Sequence, residues 1–256
     1  MVLKIIVCIL AGLGAGFATG FSGISAAVVI SPALHTFLGF NSYQAICIAL
    51  SSDVLASADA SVNFGKHGNL RIKDSLVLLA AVLGFDFVGS WASKYIPSPA
   101  LGSITVLMTL LMGVKFLLFP VTSLHRLHGE QTPKEKLMET LFVGAAIGFI
   151  SGFAGAGGGM MTLFALTTLM GYEIKEAVGT SVFIMTFTAL VGGVSHIALD
   201  GWPDPTAMIV CVVFTFIGAT VSSRMANKVA SKTLNMVTGI FLTALGAVML
   251  LTNFIS

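Results

Sequence analysis

Charge is what this chain has least of. Only 9% of its 256 residues are Asp, Glu, Lys or Arg, where a water-soluble domain carries about 25%. So few charged side chains cannot cover a surface that faces water. The 13 basic and 11 acidic residues leave a formal net charge of +2, and no basic run interleaved with aromatics occurs, which excludes a nucleic-acid partner. Cysteine is equally sparse. Cys8, Cys47 and Cys211 all lie in apolar stretches, with no Cys-x-x-Cys or His-x-x-x-His spacing. They read as buried small hydrophobes, and neither a metal nor a disulfide framework is expected. No phosphate-binding loop for ATP is present, so nucleotide does not drive this chain, and no cofactor is implied.

What is present is apolar. Hydrophobic residues make up 56% of the chain and the mean hydropathy is +0.98, so lipid is the solvent that fits. The 28 glycines agree, because Gly is frequent where membrane helices approach closely. The first twenty residues mimic a signal peptide, with Lys4, an apolar run and then small residues. Cleavage is not expected, because this stretch has a counterpart deep inside the chain.

That counterpart appears when the sequence is shifted by 132 positions. Gly12, Gly16, Phe17, Gly20, Phe21 and Gly23 then fall on Gly144, Gly148, Phe149, Gly152, Phe153 and Gly155. Ala33, Leu34, Thr36, Gly39 and Ala45 fall on Ala165, Leu166, Thr168, Gly171 and Ala177. With a shift of 133, Leu101, Thr105 and Gly113 fall on Leu234, Thr238 and Gly246. Residues 1–119 and 137–256 are therefore read as two copies of one unit, joined by a linker at 120–136. Each copy holds four apolar segments, about 2–38, 43–64, 75–96 and 100–119 in the first, and about 138–170, 176–198, 205–227 and 233–254 in the second. A single crossing takes about 20 residues. Three segments per copy fit, but the first is too long for one helix and too short for two full crossings. Glycines interrupt it at residues 20–25 and 152–159. We read two short half-helices meeting at a non-helical tip.

Loop charge orients the copies, because Lys and Arg prefer the cytoplasmic side. In copy one, Lys66, Arg71 and Lys73 stand between segments two and three, and only Lys94 between three and four. In copy two the order reverses. Residues 200–205 have no Lys or Arg, whereas Arg224, Lys228 and Lys232 follow segment three. The copies thus read as inverted, with the linker residues Arg126, Lys134 and Lys136 cytoplasmic and both termini outside. The expected fold is an all-α polytopic membrane protein of two inverted tandem repeats. Each has a broken or re-entrant first segment plus three transmembrane helices, a plan typical of secondary transporters.

The tips carry the candidate site. Half-helix N-termini present unpaired N–H groups and a partial positive charge, which suit an anion. Gly20, Ser22, Gly23 and Ser25 in the first tip, and Ser151, Gly155, Ala156, Gly157, Gly158 and Gly159 in the second, are the expected contacts, with Ser51, Ser52, Thr180 and Ser181 lining the same cavity. Gly12, Gly16, Gly144 and Gly148 are assigned to helix packing. Asp53, Asp59 and Asp86 are intramembrane carboxylates, functional candidates by default. A proton or Na⁺ is the partner expected there, because like charges repel. Met185 and Val191 stand where the second copy would repeat Asp53 and Asp59, so the repeated fold does not demand these acids. The first tip also admits an enzyme reading. Gly20-Phe-Ser-Gly23 resembles the Ser loop of an intramembrane protease, with His35 or His196 as base, but its partner Gly152-Phe-Ala-Gly155 lacks the Ser. No catalytic residue is assigned. A passive anion channel stays open as the alternative, and so does self-association.

Gly148-Phe-Ile-Ser-Gly-Phe-Ala-Gly-Ala-Gly-Gly-Gly159, followed by Gly171 and Ala177-Val-Gly-Thr-Ser181, resembles the pattern of the sulfite exporter TauE/SafE family, also called the 4-toluene sulfonate uptake permeases. Copy one repeats it more loosely through Gly16 to Gly23, Pro32, Gly39 and Ala45. The resemblance implies a multi-pass protein of the bacterial cytoplasmic membrane that carries sulfur-containing anions such as sulfite, thiosulfate, sulfoacetate or other organosulfonates. Copy one departs from the pattern, with Ile24-Ser-Ala-Ala27 where copy two has Ala156-Gly-Gly-Gly159.

Overall fold

The computed structural model describes residues 1–93, 133–154 and 158–255, and positions 107, 110, 111, 113–115, 117 and 118 between them. Among these residues nine long helices stand in order: α1 (Val2–Ser22), α2 (Ala27–Leu38), α3 (Ser42–Lys66), α4 (Ile72–Ser93), α5 (Pro133–Ala154), α6 (Gly158–Thr168), α7 (Ile174–Asp200), α8 (Pro205–Lys228) and α9 (Ser231–Ile255). The protein is an all-α, multi-pass membrane protein. Four of these helices are long and apolar enough to cross a bilayer unaided: Val2–Ser22, Gln44–Lys66, Ile174–Ala198 and Pro205–Lys228.

The segment boundaries follow from backbone chemistry. Gly23, Gly39 and Gly171 all take the left-handed conformation, at φ 67°, 66° and 64°. Gly39 and Gly171 close α2 and α6, and they are partners under the 132-residue shift. The repeated glycine is thus a backbone requirement, since a side chain is strained there. At the starts, the Asn41 side chain accepts a hydrogen bond from the Gln44 N–H at 2.8 Å to cap α3. Asp204 accepts one from the Ala207 N–H at 2.9 Å to cap α8, with Pro205 at the first helical position.

The broken first segment differs from two short halves. α1 runs unbroken for 21 residues and α5 for 22, whereas α2 and α6 have 12 and 11. At about 1.5 Å per residue, α1 and α5 each reach about 32 Å, a full bilayer core, and only α2 and α6 are half-length. Gly12, Gly16 and Gly20 do not break α1 because α8 packs onto them. A Cβ at Gly16 would lie 2.8 Å from the Ala219 nitrogen and 2.9 Å from the Gly218 Cα. Gly144 and Gly148 serve the α5–α4 contact likewise, with a Cβ at Gly144 falling 2.6 Å from the Ala81 Cβ. Backbone contact this close is the ordinary use of small residues between membrane helices. Residues 133–136, part of the expected linker, are the first turn of α5. The fourth segment of copy one falls largely outside the described residues, as does most of the linker.

Contacts set the directions. α1 and α8 run parallel, because Gly12 meets Cys211 and Phe214 while Gly20 meets Ala219 and Ser222. α4 and α5 run parallel, with Gly144 on Leu78 and Gly148 on Val82. α3 and α7 run antiparallel: Gly179 meets Phe64, the Thr186 hydroxyl donates to Ser57 Oγ at 3.1 Å, and Gly192 meets Leu50. Lys66, Arg71, Lys175 and Lys228 therefore gather on one side, the basic side, where Arg71 Nη2 lies 2.8 Å from Glu176 Oε2 and stacks over Tyr172. On the opposite side Lys4 pairs with Asp204 and lies 5.8 Å from the Phe40 ring centroid. The hydrogen bond from Lys4 holds the Asp204 carboxyl below its usual range. Since Lys4 begins α1 and Phe40 follows α2, the first segment returns to the side where it started.

Candidate functional site

The two broken segments meet. Ser181 of α7 lies between them, its Oγ 3.0 Å from the Gly23 carbonyl and 3.0 Å from the Gly159 carbonyl. A hydroxyl has one proton to donate, so the two carbonyls share it, and one side chain bridges both tips. A Cβ on Gly159 would sit 2.8 Å from the Gly23 oxygen and 2.9 Å from the Ser25 nitrogen. Only glycine at 159 lets the two backbones touch. All of these groups are buried.

The two half-helix N-termini are not alike. At α2, Asp53 of α3 is fully buried and accepts from the Ser25 hydroxyl at 2.7 Å and the Thr19 hydroxyl at 3.3 Å. The Ala26 N–H also donates to it, while the Ala27 N–H donates to Ser25 Oγ at 3.3 Å. The N–H groups offered to an anion here are thus taken by the protein's own carboxylate and hydroxyl. At α6 the residue in the equivalent position is Met185, whose sulfur packs against Gly159, so the Asp53 cap is not repeated there. Ser151 faces Gly158 instead, 2.7 Å from where its Cβ would be, and bonds Asp86. Thr19 and Ser151 are partners under the 132-residue shift. Equivalent hydroxyls therefore each hold an acid, but from different helices, α3 and α4.

The remaining expected residues are placed as follows. Gly20 packs on Ala219 and Ser222 of α8. Ser22 Oγ accepts from the Thr238 hydroxyl at 2.9 Å, and His35 Nδ1 lies 2.8 Å from the Phe40 carbonyl. Ser52 donates to the Ile48 carbonyl at 2.7 Å. Ser51 packs near Gly193. Asp59 accepts from Asn63 at 3.1 Å and from Thr220 at 2.8 Å, and Asn63 also reaches Ser223 at 3.0 Å, a polar ladder fastening α3 to α8. Asp53 and Asp86 do not meet, because α4 lies along α5. Gly155, Ala156 and Gly157 fall outside the described residues.

Among the described residues, three fully buried polar side chains have no hydrogen-bond partner: Thr180, Thr215 and Asn235, the last at both ends of its amide. Leaving such a group unpaired away from water costs about 1–3 kcal/mol. Thr180 is an expected site residue. Asn235 and Thr215 were not singled out from sequence. Asn235 follows Ser231-Lys-Thr at the head of an apolar run and reads there as a solvated helix start; nothing local marks it as buried.

Broken helices, paired tips and orphaned polar groups inside an apolar bundle define a multi-pass membrane protein of the transporter class. The relatives agree. The chain is 24% identical to the probable membrane transporter protein YdhB of Bacillus subtilis over 89% of its own length and 92% of that protein's. It is 23% identical to the probable membrane transporter protein YunE of the same organism, over 95% and 96%. A probable membrane transporter protein of Haemophilus influenzae is 25% identical over 89% and 86%. Residues 8–249 match the Sulfite exporter TauE/SafE family, and the chain belongs to it.

Proposed function

We propose that this protein is a secondary transporter of a small anion, of the sulfur oxyanion or organosulfonate type, built from two inverted repeats in a bacterial cytoplasmic membrane. The observation that carries the reading is the meeting of the two half-helix tips at Ser181, with the fully buried Thr180 left unpartnered one residue away. Irregular backbone at membrane depth persists only where protein or a cavity satisfies it. A buried hydroxyl left without a partner beside that point suits an oxyanion. The helix directions support inversion. α1 runs toward the basic side and its counterpart α5 away from it, and α3 and α7, and α4 and α8, are likewise opposed.

The direct test is a thermal-shift screen of the purified protein against thiosulfate, sulfite, sulfoacetate, taurine and simple carboxylates, with Na⁺ and pH varied. Stabilisation by the sulfur anions and not by carboxylates is expected. No response to any anion in the panel would remove the reading. For topology, both termini and the Lys4–Asp204 pair are expected outside, and the Arg71–Glu176 side in the cytoplasm. A reporter fused after Ser256 that works only in the cytoplasm would overturn the inverted arrangement. The passive-channel alternative predicts flux that follows voltage and concentration alone, with no dependence on a second ion.

A further inference from the structure

We infer that Asn235 of α9 is an anion-binding residue of this transporter, donating its amide N–H groups to the oxyanion between α7 and α9 on the basic-side flank of the first tip. The inference rests on the anion reading above and adds a wall to the site that the tips do not supply. Asn235 has no solvent exposure, and neither its nitrogen nor its oxygen has a hydrogen-bond partner. A polar residue kept inside a membrane bundle to join helices would be bonded across them, as Asn63 is to Ser223 at 3.0 Å. Asn235 joins nothing, so its amide awaits a group that comes and goes.

Its position points to the same place as the tips. One turn further along α9, Thr238 donates to Ser22 at 2.9 Å, at the end of α1. The next residue, Gly23, rests on Val178 and Ser181 of α7. The first tip is therefore held between α7 and α9, which also touch each other. Both helices start on the basic side. Thr180, whose fully buried hydroxyl is also without a partner, lies six residues into α7 and Asn235 four into α9, so about 9 Å and 6 Å along their axes. An amide and a hydroxyl at similar depth are both neutral donors, and the carboxylate one turn before Thr180, Glu176, is held by Arg71 Nη2 at 2.8 Å. A neutral donor set binds an oxyanion without trapping it.

The test measures apo stability and thiosulfate affinity together on the full-length protein in detergent, for wild type, Asn235→Leu and Asn235→Asp. Thiosulfate is the probe because it stays a dianion across the neutral range. An unpartnered amide contributes no bond to the fold, so Asn235→Leu is expected to melt at or above the wild-type temperature. Its thiosulfate affinity should fall by about tenfold or more, as for loss of a donor to a charged group. Asn235→Asp should lose binding at neutral pH and recover part of it on acidification. If Asn235→Leu does not fold, Asn235→Ala carries the same comparison without added volume. Wild-type affinity in the Leu or Ala variant, within about twofold, would overturn the assignment while leaving the anion reading intact. A lower melting temperature with unchanged affinity would overturn it equally, as a structural role. Absence of any anion binding by the wild type would overturn both.

Discussion

Asp53→Asn is expected to uncouple the protein: exchange of labelled anion across proteoliposomes continues, while accumulation against a gradient collapses to the equilibrium level. Asp53 is fully buried, and its partners are two hydroxyls and one backbone N–H, with no cation among them. An intramembrane carboxylate in that setting is costly to keep unless it binds and releases a proton or Na⁺. It also touches the first tip directly, so its charge state and the tip's geometry are one unit. Asn keeps the size and can still accept from Ser25 and Ala26, but its charge is fixed at zero. The measurement is uphill uptake against counterflow, at several pH values and with Na⁺ present or absent.

The structure separates the three acids, and so should the assay. Asp59 is satisfied by Asn63 and Thr220, so Asp59→Asn is expected to alter stability more than coupling. Asp86 lies on α4 with Ser151 of α5, at the second tip. It shares no partner with Asp53, and its Asn variant should act independently. If Asp53→Asn and Asp86→Asn both transport uphill with normal ion dependence, coupling through these acids is wrong. The channel reading would then move ahead. Loss of expression in place of uncoupling would make Asp53 a structural cap on α2.

The second large effect is expected at the glycines of α6. Gly159→Leu places a side chain against the Gly23 oxygen and the Ser25 nitrogen, 2.8 and 2.9 Å from its Cβ, and forces the tips apart. Gly158→Leu meets only the Ser151 hydroxyl closely, at 2.7 Å, which can rotate away. The Gly158 variant is therefore expected to fold yet lose at least about a hundredfold in transport rate, since misplacing a binding group by about 1 Å has effects of that size. Gly159→Leu should lose both transport and some stability. Gly144→Leu is the control. Its Cβ lies 2.6 Å from that of Ala81, in a helix contact remote from the tips, so it should lower yield of folded protein first. Normal transport in the Gly158 variant would remove the second tip from the site.

Much of this architecture was readable along the chain. Composition set the solvent, because 9% charge cannot wet a surface. The 132-residue repeat placed Gly39 on Gly171, and both need the left-handed backbone, a local property that a sequence carries by itself. The orientation proposed for the copies rests on loop charge for the same reason, since that is a sum over short segments. Packing was not readable. A run such as Gly12, Gly16, Gly20 weakens a helix in isolation, and only the presence of α8 turns those glycines into a contact surface and leaves α1 whole. Sequence marked Asp53, Asp59 and Asp86 alike as acids in apolar surroundings. Tertiary structure put the first on the α2 N-terminus, tied the second into a ladder with α8, and set the third behind Ser151. Asn235 had no sequence signal, because whether an amide is bonded or orphaned depends on which groups distant parts of the chain bring to it. Sequence by itself determined the class of fold and where the helices break, which are matters of period, composition and backbone freedom. Only the tertiary structure decided which polar groups are spent on the fold and which are left over, because that depends on partners far apart in the chain.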